Sequence, residues 1–158
     1  MKALGIDFGK ARIGMALSDD LGMLAHPLET VPGKNPEDAA RRISEIVGEK
    51  KVETVVVGLP LHLNGEEGTA VESVRKFAEL LLSHLPESVD LVEVDERLTT
   101  VSAMEKLHEA GRTEKNSRPI IDQAAAVEIL QEWLDRQAGP DVLPDPWDED
   151  ELKEDYDD

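Results

Sequence analysis

A chain of 158 residues with a formal charge of −18 and no cysteine has the size of one domain with a real core. The missing cysteine excludes disulfides, thiolate metal sites and cysteine nucleophiles, and it suits a reducing cytosol. Met1-Lys2-Ala3-Leu4 leads into a strand rather than a signal peptide, and Asp7 interrupts the first apolar stretch far short of a membrane span, so the expectation is a soluble, cytoplasmic protein with no membrane partner.

In chain order, Leu4, Ile6 and Phe8 share one face of a first strand. Ile13, Met15 and Leu17 alternate with Arg12, Gly14, Ala16 and Ser18 in a second, and a third run covers Met23 to Val31. The short turns between them make the three antiparallel. Asn35 followed by Pro36, Glu37 and Asp38 marks a helix start, with Ala39, Ala40, Ile43, Ile46 and Val47 as its apolar stripe. Val52 to Leu59, containing Val55-Val56-Val57, predicts a strand buried on both faces, which requires parallel neighbours and covering helices. After a loop from His62 to Gly68, apolar residues from Val71 to Leu85 recur at helical spacing and predict an amphipathic helix over 69–85.

Val89 to Glu96 predicts a further strand. Within it Val92, Val94 and Glu96 share one phase while Glu93 and Asp95 form the polar one, so Glu96 rather than Asp95 points toward the apolar side. Thr100 to Ala110 predicts a helix closed by Gly111 as its left-handed cap, followed by a polar loop with Arg112, Lys115 and Arg118. Pro119 and Asp122 introduce a last helix to about Gln137, with Ala126, Ile129 and Trp133 on one face. The order predicts an α/β fold: a five-stranded mixed sheet with helices on both faces, spanning residues 1–138.

Residues 139–158 read differently. Positions 141–158 hold 10 acidic and 1 basic side chains against 25 and 16 in positions 1–140, so each part carries −9. With Pro140, Pro144 and Pro146 and little apolar content, this tail cannot bury enough surface to offset its ordering entropy and is expected to be disordered.

Asp7, Glu96 and Asp122 each stand where a carboxylate is awkward, the first two ending apolar strands and the third opening an apolar helix. If they converge, each pair ~4 Å apart costs about 4 kcal/mol at an effective dielectric of ~20. A cation relieves that cost, and oxygen-only ligands favour magnesium or manganese. Phosphodiester hydrolysis uses such ions to activate water and to stabilise the attacking and leaving oxygens.

Each carboxylate also has an ordinary structural role. Asp122 can cap a helix, Glu96 can pair with Arg97 at the surface, and Asp7 can support the turn into Gly9. Spacing alone leaves both sets of roles open. Gly5, Gly9 and Gly14 do not fit the dinucleotide or Walker loops, which require a following helix. A glycine-flanked aspartate between hairpin strands does resemble the phosphate-contacting turn of actin-like kinases, but that fold takes two such domains and the chain is too short for them.

Lys10, Arg12, Arg75, Arg97, Arg112, Lys115 and Arg118 lie in the segments flanking the three carboxylates and make a candidate nucleic-acid-binding rim. With a Debye length of ~8 Å the acidic tail need not cancel it. Aromatic residues are only 3% of the chain, so recognition is expected through backbone and shape more than through stacked bases. His62, Asn64 and Gly65 follow Gly58-Leu59-Pro60, a strand end of the kind where α/β proteins bind ligands, and form a candidate substrate loop. His26 and His108 lack metal-ligand spacing.

Four ordered motifs carry a resemblance. Gly5-Ile6-Asp7-Phe8-Gly9 with Arg12-Ile13-Gly14, Val57-Gly58-Leu59-Pro60-Leu61 with Asn64-Gly65 and Gly68, Asp95-Glu96-Arg97-Leu98-Thr99-Thr100, and Asp122 with Ala125-Ala126 and Ile129-Leu130 together resemble the YqgF family of ribonuclease H-like nucleases, also called Holliday-junction-resolvase-like proteins. The match covers about residues 1–138. It implies a ribonuclease H-like fold and carries Asp7, Glu96 and Asp122 onto the catalytic, metal-binding carboxylate positions, with Mg2+ or Mn2+ as cofactor. It further implies a cytoplasmic nuclease similar to members that mature the 5′ end of pre-16S ribosomal RNA, a step of ribosome biogenesis. Other members are discussed as junction resolvases.

Structured RNA is therefore the expected partner, bound by a monomer or homodimer. Branched DNA, cut by a Holliday junction resolvase, is one alternative, and a non-catalytic nucleic-acid or protein binding module is the other. Two features depart from the family: Glu114-Lys115-Asn116-Ser117-Arg118-Pro119 is less basic than its counterparts, and the acidic tail has no equivalent.

Overall fold

The computed structural model describes residues 2–9, 11–60, 68–96 and 118–138; the side chains of 118–122 lie outside that description. Strands β1 (Ala3–Phe8), β2 (Arg12–Ser18) and β3 (Ala25–Pro32) form antiparallel hairpins, followed by α1 (Pro36–Lys50), β4 (Thr54–Leu59), α2 (Thr69–His84), β5 (Asp90–Asp95) and α3 (Arg118–Ala138). The sheet order is β3-β2-β1-β4-β5, with β1, β4 and β5 mutually parallel. The five-stranded mixed sheet expected from the sequence is present, with α1 and α2 on one face and α3 on the other. The helix expected over Thr100 to Ala110, its Gly111 cap and the tail from 139 onward lie outside the described residues.

Alternation explains the two cores. Leu4, Ile6, Ile13, Met15, Val55 and Val57 point to α1 and α2, while Ala3, Ala16, Val56 and Val94 point to α3. β4 is buried along its whole length, as its run of valines requires. A fully buried valine, leucine or isoleucine contributes about 1.5–3 kcal/mol over an exposed one, so both faces hold their helices mainly by burial. Asn35 caps α1 by accepting from the Asp38 backbone N–H at 3.2 Å, and Pro36 occupies the first turn where no donor is needed.

Several boundaries differ from expectation by one or two residues, and two of them have a visible cause. β3 starts at Ala25, not Met23, because Asp19 builds a turn: its carboxylate accepts from Met23 N at 2.8 Å, its N–H donates to Leu24 O at 3.0 Å, and Gly22 takes φ 70°. Met23 and Leu24 are apolar enough to read as strand, yet that turn leaves both exposed. Arg118, expected in a loop, is the first residue of α3, since a proline in the second helical position leaves the first turn intact.

Polar anchors fix the direction of α3. Gln123 Nε2 donates to Thr30 Oγ1 at 3.0 Å near the end of β3, and Gln131 near its start accepts from Ala25 N and donates to Met23 O, both at 2.9 Å. The helix therefore runs opposite to β3 and β1. Its N-terminal half lies over the edge where β1, β4 and β5 end. Gly5 permits the approach: a Cβ there would stand 2.6 Å from Leu130 Cβ and 2.9 Å from Ala126 O.

Arg42 ties α1 to β3 through a two-pronged contact with Glu29, Nε to Oε2 at 3.0 Å and Nη2 to Oε1 at 2.9 Å. Hydrogen bonding to Arg42 holds the Glu29 carboxyl below its usual range, against a smaller upward push from burial. A lowered carboxyl pKa adds stability that is present above the ordinary glutamate value and is lost as pH falls through the folded-state value. Side-chain exposures of 39% for Arg42 and 32% for Glu29 mean that solvent screens the pair. Glu29→Gln should therefore cost only about 0.5–1 kcal/mol at neutral pH, and the difference should shrink at a pH well below the ordinary glutamate range. Urea unfolding at the two pH values checks this; an equal penalty at both would mean that charge is not the cause.

Candidate active site

Because β1, β4 and β5 run parallel, their C-terminal ends finish along one edge of the sheet. Phase then decides which residues meet there. Ala3, Gly5 and Asp7 alternate on the α3 side of β1, and Val92 and Val94 lead to Glu96 on the same side at the end of β5. Asp7 is 9% exposed and Glu96 is 6% exposed, so both carboxylates are taken out of water. Asp95, in the opposite phase, is only half-buried.

Gly58 lies between them on β4, one residue past the Ile6–Val57 pair. A Cβ at this position would stand 2.9 Å from Glu96 Oε1, 3.1 Å from Glu96 Cγ and 2.5 Å from Ile129 Cδ1. The glycine clears the space that the Glu96 side chain occupies beneath α3. Asp7 and Glu96 open together onto a cleft of about 280 Å³, with Phe8, Pro60, Ala70, Ser73 and Val74 as its other walls. Ala70, Ser73 and Val74 belong to the first turns of α2, so the cleft also faces that helix's N-terminal end, where backbone N–H groups and the helix dipole favour an anion. The Gly68 cap supplies no side chain to occupy those donors.

The third expected carboxylate, Asp122, belongs to α3 one turn before Ala125 and Ala126, which pack on the sheet. Its backbone stands at the same edge, and its side chain lies outside the described portion. It sits four residues past the first residue of the helix, which removes the N-cap role. Among the described residues no three or more His, Cys, Asp or Glu side chains gather as a metal cluster; Asp7 and Glu96 are the acidic pair at this cleft.

Of the basic rim, Arg12 begins β2 beside Gly9, whose N–H donates to the Arg12 carbonyl at 2.9 Å. Arg75 Nε pairs with Glu93 Oε2 at 3.2 Å and is directed to the face of β5 away from Glu96. Lys10, Arg97, Arg112 and Lys115, the Arg118 side chain, and the loop residues His62, Asn64 and Gly65 lie outside the described residues. His26 is exposed on β3.

Comparison with known proteins adds a second line of information. The family model for RuvX, described as Holliday junction resolvase, matches residues 1–136. The chain belongs to the RuvX family. Among curated relatives, a Nocardia farcinica protein named "Putative pre-16S rRNA nuclease" is 48% identical over 144 residues, covering 87% of this chain and 79% of its own. An Acetivibrio thermocellus protein of the same name is 42% identical over 136 residues, covering 85% and 96%. The solved structure of T. thermophilus RuvC in complex with Holliday junction substrate superposes with a TM-score of 0.57 at 18% identity, covering 88% of this chain and 97% of that one. That similarity places the RuvX chain in the ribonuclease H-like resolvase fold, as the motifs imply.

Three residues at the cleft escaped sequence reasoning in the RuvX chain. Gly58 stands inside a family motif, but nothing in a lone sequence says that a glycine clears room for a carboxylate at the end of the neighbouring strand. Ser73 and Phe8 read as an ordinary helix position and an ordinary core position. Their place in the wall follows only from how α2 crosses the strand ends.

Proposed function

We propose that this RuvX-family hydrolase is a metal-dependent endonuclease that trims the 5′ end of pre-16S ribosomal RNA in the cytoplasm, with residues 1–138 as the nuclease domain and 139–158 as an acidic tail. The observation that carries the reading is the pair of buried carboxylates, Asp7 and Glu96, delivered by two separate strands to one cleft. The names of the relatives, which pair this sequence type with pre-16S rRNA, support the choice of substrate.

Asp7, Glu96 and Asp122 are the proposed ligands of Mg2+ or Mn2+, and the donor set fits: hard carboxylate oxygens, buried against apolar walls, with room for water and phosphate oxygens to complete the coordination. When bound, such ions lower the pKa of water and stabilise charge on the oxygens of the scissile phosphate. The chain's own groups do the rest. β1 and β5 hold the two carboxylates on a rigid sheet, and the missing side chain at Gly58 leaves the space that the Glu96 side chain takes. The first turns of α2 offer N–H donors to a phosphate oxygen, while Phe8, Pro60 and Val74 keep bulk water from the back of the cleft. Arg12, with Lys10, Arg97, Arg112, Lys115 and Arg118, holds flanking phosphates, and the loop of His62, Asn64 and Gly65 contacts the substrate.

The RuvX description favours a second substrate, a four-way DNA junction. Incubating the full chain with Mg2+ and either a 5′-extended 16S rRNA precursor or a four-way DNA junction, at matched length and salt, separates the readings. Metal-dependent cutting of the RNA is expected. Cutting of the junction alone would overturn the rRNA assignment, and binding without cutting of either would make the protein a binding module.

A further inference from the structure

A second cavity adjoins the carboxylate cleft. It measures about 310 Å³ and is walled by Phe8, Gly33, Pro36, Ser73, Lys76, Phe77 and Leu80, a volume in the range of small-ligand sites, which begin near ~300 Å³. Phe8 and Ser73 line both spaces. Asp7 and Phe8 are consecutive on β1, and consecutive side chains of a strand point to opposite faces. The carboxylate therefore serves the cleft while the ring of the next residue forms the wall of the cavity.

The lining is mostly aromatic and aliphatic, with Ser73 and the exposed Lys76 as its polar members. Both phenylalanines of the chain are here, with ring centroids 4.8 Å apart at 24°. Phe77 is only 3% exposed and belongs to the core, whereas Phe8 is half-buried and presents ring surface to the cavity. A core needs no such opening. A nucleic acid strand does, because a base lifted out of its stack seeks a flat apolar surface beside a cation for the neighbouring phosphate.

We propose that this cavity receives one unstacked nucleobase of the substrate strand, within a nucleotide of the scissile phosphate at the Asp7–Glu96 cleft, with Lys76 facing the backbone. The inference rests on the nuclease reading above and deepens it: the enzyme selects a strand with a flexible, unpaired nucleotide at the cut. Continuity decides the occupant. A phosphodiester chain lying in the cleft passes the Phe8–Ser73 wall, and its base has the cavity as the adjacent apolar surface.

An abasic scan tests this with unaltered side chains in the cavity. Binding of the full-length Asp7→Asn chain to 5′-extended rRNA oligomers, each with one abasic position, should weaken about tenfold at a single position and little elsewhere. Leu80→Trp, which fills the cavity from α2 without touching the cleft, should weaken binding of intact RNA by a similar factor and abolish the position effect. A flat scan, or a position effect that survives Leu80→Trp, overturns the proposal. Cleavage by the wild-type chain is read in parallel: RNA that is cut but gives a flat scan sinks the base pocket and leaves the nuclease reading standing. A position effect without cutting does the reverse.

Discussion

Asp7→Asn is expected to abolish cleavage while leaving the fold intact. The amide matches the carboxylate in volume and shape, so the packing of β1 against α3 through Gly5, Ala126 and Leu130 is undisturbed. What changes is charge at a site where the side chain is 9% exposed and where the proposed mechanism requires an anionic oxygen. Loss of residues that merely orient a metal ligand costs roughly 10–100-fold, and loss of one preorganised electrostatic contact costs about 10²–10³-fold. Removing a ligand itself should reach at least the upper end, ~10³-fold in single-turnover rate.

Stability supplies an independent readout of the same residue. A ligand that binds only the folded chain stabilises it by about 2.7 kcal/mol at one hundred times its Kd, so Mg2+ should raise the unfolding midpoint of the wild type and not that of Asp7→Asn. Equal cleavage rates, or equal metal-induced shifts, would show that Asp7 is structural and remove the central element of the mechanism.

Much of this arrangement was legible because it follows from short-range rules. Period-two alternation placed Glu96 in the phase of Val92 and Val94 and Asp95 in the other, and the burial of the two agrees. Three adjacent valines announced a strand covered on both sides, and Asn35-Pro36 announced a helix start. The family motifs located the fold. The features that stayed hidden depend on crossings between distant segments: Gly5 lies under Ala126 and Leu130, Gly58 beside Glu96 and Ile129, and Ser73 against the end of β1. A glycine in a strand looks like a weakness until the helix above it is in place. The turn at Asp19 misled the reading of β3 for a related reason, since the hydrogen bond that holds Met23 out of the strand comes from a side chain four residues earlier.

Gly58→Ala is expected to separate activity from stability. The added methyl meets Ile129 Cδ1 at 2.5 Å and Glu96 Oε1 at 2.9 Å, both at the far ends of flexible side chains, so the neighbours yield at an overpacking cost of about 1–3 kcal/mol and the chain still folds. They do not yield equivalently. Ile129 can shift within the apolar layer of α3, but Glu96 can move only by leaving the position it shares with Asp7 at the cleft. Displacing a reacting group by about 1 Å can cost ~10²-fold in rate, so cleavage should fall by that order while the unfolding midpoint falls modestly. Adding Ile129→Val to Gly58→Ala removes the methyl that collides with the new Cβ and should recover most of the lost stability, leaving Glu96 displaced and cleavage still low. Recovery of both properties together would mean that the glycine serves packing alone, and wild-type cleavage by Gly58→Ala would mean that Glu96 has no fixed place in the chemistry.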